Sequence, residues 1–201
     1  MQTCKIGILS LQGGVVEHVA ATKNAAKTLD VACEVVEVKR KGEFSDLNGL
    51  IIPGGESTTL GKLIIANKLW NEIRSMRNIF GTCAGAIMLA KNIVGQEEGG
   101  QETLAVMAIE VDRNAYGSQT ESFEEVLDTK FGKINAIFIR APKIRNVGSE
   151  CEIIAKRANG EIVAVSERSK SGSNFYLATS FHPELSTTKF HEYFIRKVLE
   201  D

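Results

Sequence analysis

Cys83 stands in Phe80-Gly81-Thr82-Cys83-Ala84-Gly85, a G-x-C-x-G run with apolar residues before it and an apolar stretch after it. This is the layout of a nucleophile elbow, with cysteine in the place of serine. Small flanking residues suit a tight strand-to-helix turn, because the backbone there comes close to itself. A side chain projecting from such a turn meets a helix N-terminus, whose free N–H groups favour a thiolate. The N–H of Ala84, next after the nucleophile, would face a developing oxyanion. The same spacing also fits a buried cysteine in a glycine-flanked turn. A cysteine nucleophile needs a base, and Phe181-His182-Pro183-Glu184 offers one at the end of a strand-like run, where α/β proteins place function. Glu184 could accept a hydrogen bond from the imidazole and fix its tautomer, while Pro183 stiffens the link. The candidate is a Cys83–His182–Glu184 triad in chain order, against the plainer reading of a His-Pro turn that caps a strand. His18 and His191 fall inside helical patterns beside charged residues and read as structural or solvated.

A third feature is Pro53-Gly54-Gly55-Glu56-Ser57-Thr58. Two glycines after a buried strand and before a helix expose backbone N–H groups that can cradle an anion. That anion could be a phosphate, although the lysine spacing of a Walker loop is missing, or an oxyanion beside a cysteine nucleophile.

These residues need elements to hold them. The first half of the chain alternates strands and helices. Strands are expected over 5–11, 32–38, 50–52 and 78–80. Helices are expected over 15–29 (with Val15, Val19, Ala26 and Leu29 on one face), after a Ser57 or Thr58 cap, around Trp70 to Met76, and over 83–90. That alternation argues for a parallel sheet covered on both faces. The second half offers strands over 104–111, 134–139, 152–157, 161–166 and 175–181, with a turn at Ala158-Asn159-Gly160 that reads as a hairpin. An amphipathic helix over 187–199 closes the chain. The expected fold is therefore α/β, with a mostly parallel central sheet and extra antiparallel strands at its edge.

Length and composition set the outer limits. The chain has 201 residues, 43% apolar and 24% charged, which fits one globular domain over 1–201. Its 24 basic and 25 acidic residues leave a net charge of -1, which ranks nucleic-acid binding low. No apolar run approaches the roughly 20 residues of a membrane span. The start of the chain lacks the pattern of an export signal, so a cytoplasmic location is expected. Cys4, Cys33 and Cys151 sit in strand-like runs and read as small buried hydrophobes. Metal-ligand spacing is not seen.

Taken together, the blocks resemble the class I, triad-type glutamine amidotransferases, and more narrowly the glutaminase subunits of pyridoxal 5′-phosphate synthases. The resemblance is carried by Leu11-Gln12-Gly13 with Glu17-His18, by the run from Pro53 through Thr59, by Phe80 through Gly85, and by Ser180 through Leu185. Asp112-Arg113-Asn114, Glu121-Ser122-Phe123-Glu124 and Phe138-Ile139-Arg140-Ala141-Pro142 add to it. It implies a flavodoxin-like three-layer sandwich whose active site lies along the C-terminal rim of the sheet, with no cofactor. By this carry-over Cys83 attacks the side-chain amide of L-glutamine, His182 shuttles protons and Glu184 orients it. Gly54 or Gly55, with Ala84, would form the oxyanion hole. Gly55, Glu56, Ser57, Arg113, Ile139 and Arg140 match glutamine-binding positions, and Gln12 matches one near the oxyanion region and the partner. The implied partner is a synthase subunit that condenses sugar phosphates with the released ammonia into the vitamin B6 coenzyme. Two departures stand out: Ser118 replaces a common arginine, and 96–101 looks like a polar insertion. The alternatives are the same triad serving another synthase, such as imidazole glycerol phosphate synthase, or a noncatalytic flavodoxin-like binding module in which Cys83 is a redox-sensitive thiol.

Overall fold

The computed structural model describes residues 3–96, 100–113 and 122–200. In chain order the first half is β1 (Thr3–Leu9), α1 (Val15–Thr28), β2 (Ala32–Val38), β3 (Gly49–Ile52), α2 (Ser57–Ala66), α3 (Trp70–Arg74), β4 (Asn78–Thr82) and α4 (Ala84–Leu89). The second half is β5 (Ala90–Ile93), β6 (Met107–Asp112), β7 (Phe123–Thr129), β8 (Gly132–Phe138), β9 (Lys143–Val147), β10 (Cys151–Lys156), β11 (Ile162–Arg168), β12 (Phe175–Thr179) and α5 (Lys189–Leu199).

Nine strands form one mixed sheet in the order β2-β1-β3-β4-β12-β11-β10-β7-β8. The pairings from β2 through β12 are parallel and those from β12 through β8 are antiparallel. The antiparallel part is thus a four-strand extension rather than a fringe. It is built by local connections, including the expected hairpin at Gly160, which takes φ +86° between β10 and β11. A second sheet, β5-β6-β9, packs against the first through Met107, Ile109, Val111 and Ile144.

Alternation along the central strands sends side chains to two cores, as a pleat of period 2 requires. Leu50, Ile52 and Ile79 pack with Leu60, Ile64 and Met88 of α2 and α4. Ile51, Phe80 and Ile8 pack with Phe190 and Phe194 of α5 and with Val15, Val19, Ala26 and Leu29, the expected face of α1 and the residue that ends it. Each such fully buried side chain stabilises the fold by about 1.5–3 kcal/mol. The chain runs from β1 out to β2 and returns to β3 on the other side of β1. The carboxyl ends of β1, β3, β4 and β12 therefore lie side by side at a topological switch point, the place where open α/β sheets bind ligands.

Several expectations shift in detail. The cap of α2 is Glu56, not Ser57 or Thr58: its carboxylate folds back to accept from the N–H groups of Thr58 (2.9 Å) and Thr59 (2.7 Å), while the Ser57 hydroxyl turns elsewhere. The strand expected from 104 begins at Met107, because Ala105 adopts φ +53° and interrupts the extended backbone. β5, β7 and β9 were not expected. β7 carries Glu124, Glu125 and Asp128 and leaves Val126 63% exposed, so it lacks the apolar run that marks a buried strand. No described helix is long and apolar enough to cross a membrane.

Candidate active site

The turn from β4 into α4 is held by close backbone packing. Cys83 adopts φ +50° and ψ −105°, a strained conformation for a residue with a side chain. Its N–H donates to the Thr179 carbonyl at 2.8 Å, and its own carbonyl accepts from Ile87 N–H at 3.2 Å. The flanking glycines make room for this turn. A Cβ on Gly81 would stand 2.5 Å from the Gly85 carbonyl, and one on Gly85 only 2.1 Å from the Ile52 carbonyl oxygen. Because both obstacles are backbone, Gly85→Ala is expected to cost about 3 kcal/mol, at the upper end for overpacking. A fall in the urea midpoint with unchanged slope measures it; an unchanged midpoint would show that the elbow can relax.

The elbow presents Cys83 to the end of β12. Gly54, in the loop after β3, lies between the two: a Cβ there would be 2.5 Å from His182 Cε1 and 3.2 Å from the Cys83 Cβ. The backbone of Gly54 thus touches both cysteine and imidazole. His182 Nδ1 is 2.7 Å from Glu184 Oε1, across the Pro183 turn. The Glu184 side chain is 1% exposed and that of His182 is 12% exposed. Burial alone would lower the pKa of His182, but the charges and hydrogen bonds of Cys83 and Glu184 outweigh it and hold the imidazole up at about 10. His182 is therefore an imidazolium at neutral pH. The Cys83 sulfur lies 3.8 Å from the Ile139 carbonyl oxygen, which brings the loop after β8 over the same point. Ala84 follows directly, fully buried at the start of α4.

Behind Cys83, His182 and Glu184, the structure overturns part of the reading of His18 and His191. Neither is solvated; both are 0% exposed. His18 Nε2 is 3.3 Å from Glu184 Oε2 and 3.0 Å from Thr82 Oγ1, and His18 Nδ1 is 3.0 Å from His191 Nε2. Burial, reinforced by the neighbouring His191 and His182, pushes the pKa of His18 well down, and burial holds that of His191 at about 3. Both rings are neutral. The sequence signal that could have found His18 is its position between Val15 and Thr22 on the inward face of α1.

The other expected residues fall into two groups. Gln12 lies against Gly55, which has φ +135°, and donates from Nε2 to the Glu56 carbonyl at 3.0 Å. The Glu56 carboxyl, pushed up by burial, is brought down to about 2 by the Thr58 and Thr59 donors, so it is an anionic helix cap. Ser57 belongs to a second cluster. Its hydroxyl donates at 2.9 Å to Gln101 Oε1, the same oxygen that accepts from Arg113 Nη1 at 2.8 Å. The polar stretch over 96–101, unread in the sequence, thus ends in a residue that ties Ser57 to Arg113. Ile139 is 38% exposed, and Arg140 beside it takes φ +47° on the surface. Ser118, Asn114, Glu121 and residues 97–99 lie outside the described residues.

The profile of the SNO glutamine amidotransferase family matches residues 8–200. A Dehalococcoides mccartyi protein named pyridoxal 5′-phosphate synthase subunit PdxT is 46% identical over 200 residues, covering 96% of each chain. A Clostridium botulinum protein of the same name is 45% identical over 205 residues, covering 98% of each. A crystal structure described as a glutamine amidotransferase superposes with a TM-score of 0.79 at 42% identity, covering 96% of this chain and 98% of that one. With a cysteine elbow, a His-Glu pair beside it and this likeness over nearly its whole length, the chain belongs to the SNO glutamine amidotransferase family.

Proposed function

We propose that this chain is the glutaminase subunit of a pyridoxal 5′-phosphate synthase, hydrolysing L-glutamine to L-glutamate and passing the ammonia to a synthase subunit. The observation that carries the reading is the part-buried His182–Glu184 pair set against the Cys83 elbow, with Gly54 between. The unit is one domain over 1–201, a flavodoxin-like three-layer sandwich with the two cores described above on either side of the sheet.

In this reading the Cys83 sulfur, as thiolate, attacks the side-chain amide carbon of glutamine. The negative charge that develops on the amide oxygen is received by the Ala84 N–H and the backbone of Gly54 or Gly55. The His182 imidazolium gives its proton to the leaving nitrogen, and ammonia departs as the thioester forms. Water then attacks the thioester, His182 takes a proton from it, and glutamate leaves with the thiolate restored. Glu184 holds the His182 ring in place throughout. Glu56, Ser57, Arg113, Ile139 and Arg140 are assigned to glutamine, an arginine pairing with the substrate carboxylate. Gln12, on Gly55, is assigned to the oxyanion loop and the partner. A cytoplasmic setting accords with the four free thiols.

The test mixes the chain with a synthase subunit and its pentose and triose phosphate substrates. Glutamine is expected to support coenzyme formation only when this chain is present, while ammonium salts support it without the chain; glutamate release by the chain alone is expected to be slow. Coenzyme formation from ammonium but none from glutamine plus chain would contradict the proposal.

A further inference from the structure

We propose that His18 is a positioning residue for this reaction, a neutral imidazole whose Nε2–H holds the second oxygen of Glu184, with His191 setting its tautomer from behind. The inference rests on the triad reading above and goes beyond it, since a Cys-His-Glu triad by itself leaves one carboxylate oxygen unassigned. In this structure Oε1 of Glu184 is taken by His182, and Oε2 is buried with no well-aligned hydrogen bond. His18 Nε2 lies 3.3 Å from it. A buried carboxylate oxygen without a partner is costly, so a ring nitrogen at that distance must either donate to it or repel it.

The neighbours decide which. Suppose His18 carried its proton on Nδ1. Its Nε2 lone pair would then face the Glu184 anion, and Nδ1–H would donate to His191 Nε2. His191 would have to carry its own proton on Nδ1, an atom that is buried and has no partner. That arrangement leaves a repulsive contact and an orphaned N–H, and orphaned buried donors are the rarest of all. With the protons on Nε2 of both rings, each proton faces an acceptor. His191 Nε2–H donates to His18 Nδ1, and His18 Nε2–H donates to Thr82 Oγ1 at 3.0 Å with Glu184 Oε2 only 3.3 Å from the same nitrogen, so a small shift of the carboxylate brings it into the bond. Only an acceptor lone pair, on His191 Nδ1, is left over. The neutrality of both rings, which burial enforces, is what this chain of single protons needs.

The arrangement links four elements at one point: α1 through His18, β4 through Thr82, the Pro183–Leu185 turn through Glu184, and α5 through His191. Thr82 is also the residue that leads into Cys83. His18 thus bridges the nucleophile's strand and the triad acid, and it fixes the carboxylate plane that in turn aims His182.

The experiment has two arms, both on the full chain. In the first, glutaminase turnover is measured in complex with the synthase subunit for His18→Phe and His18→Gln, with Cys83→Ala as control. Phenylalanine removes the donor, and kcat is expected to fall on the order of ten- to a hundredfold with KM nearly unchanged, as for loss of a hydrogen bond to a charged group. Glutamine places an amide N–H near the Nε2 position and is expected to restore most of the rate. A folded His18→Phe variant with undiminished kcat, or a His18→Gln variant no better than it, would overturn the proposal. Persistent hydrolysis by Cys83→Ala would instead overturn the triad. The second arm needs no variant to fold: nitrogen NMR of histidine-labelled native protein is expected to show His18 and His191 neutral and protonated on Nε2. A proton on Nδ1 of His18, or an imidazolium there at neutral pH, would overturn the assignment.

Discussion

Cys83→Ala is expected to lower glutamine hydrolysis, assayed in complex with the synthase subunit, on the order of 10⁴-fold or more, to the level left when a nucleophile is removed and only binding and oxyanion stabilisation remain. Alanine keeps the Cβ and is no worse suited than cysteine to φ +50°, so the elbow and its hydrogen bonds to Thr179 and Ile87 are expected to survive. The variant should therefore still dock and still support coenzyme formation from ammonium, failing only with glutamine. That selectivity separates loss of chemistry from loss of fold. Glutamate release within tenfold of the unaltered chain would place the nucleophile elsewhere. Removing the sulfur also removes one of the two partners that hold His182 up at about 10, so the imidazole of the variant should titrate lower, as histidine NMR would show.

The line between what the sequence makes legible and what it does not follows the range of the interactions. The elbow is legible because its requirement is local: Gly81 and Gly85 must lack side chains for the backbone to pass, and that need is written next to Cys83. His182 and Glu184 are legible for the same reason, being two residues apart with a proline between. The parallel half of the sheet follows from apolar runs alternating with helical patterns. What escapes is long-range. His18 meets Glu184 and His191 from 166 and 173 residues away in the chain, and nothing adjacent to any of the three announces it. Gln101 looks like one polar residue among several until its oxygen is seen to receive both Ser57 and Arg113. The Glu56 cap is a contest between neighbours, settled because the serine hydroxyl has that distant partner and the glutamate does not need one. β7 and β9 escape because half-exposed antiparallel strands carry charges that mask the alternation.

His182→Asn tests the chemistry from the other side. The asparagine amide can take the place of Nδ1 and keep the bond to Glu184 Oε1, so the Pro183 turn is expected to hold. Nothing then replaces the second ring nitrogen, and the expected loss in kcat is on the order of 10²–10⁴, the range of general acid–base catalysis. The pH dependence sharpens the test. Burial lowers the affinity of His182 for its proton, but Cys83 and Glu184 raise it further, to a value of about 10. The proton that must reach the leaving nitrogen is thus in place throughout the neutral range and is lost only as pH rises through about 10. Turnover of the unaltered chain should hold across neutral pH and fall on that alkaline side. In the variant the limb should vanish, because asparagine does not titrate. A variant that keeps the alkaline limb would show that the limb has another source. One that also keeps the rate would remove His182 from the proton path, and with it the reason for burying a glutamate and two neutral histidines behind a single cysteine.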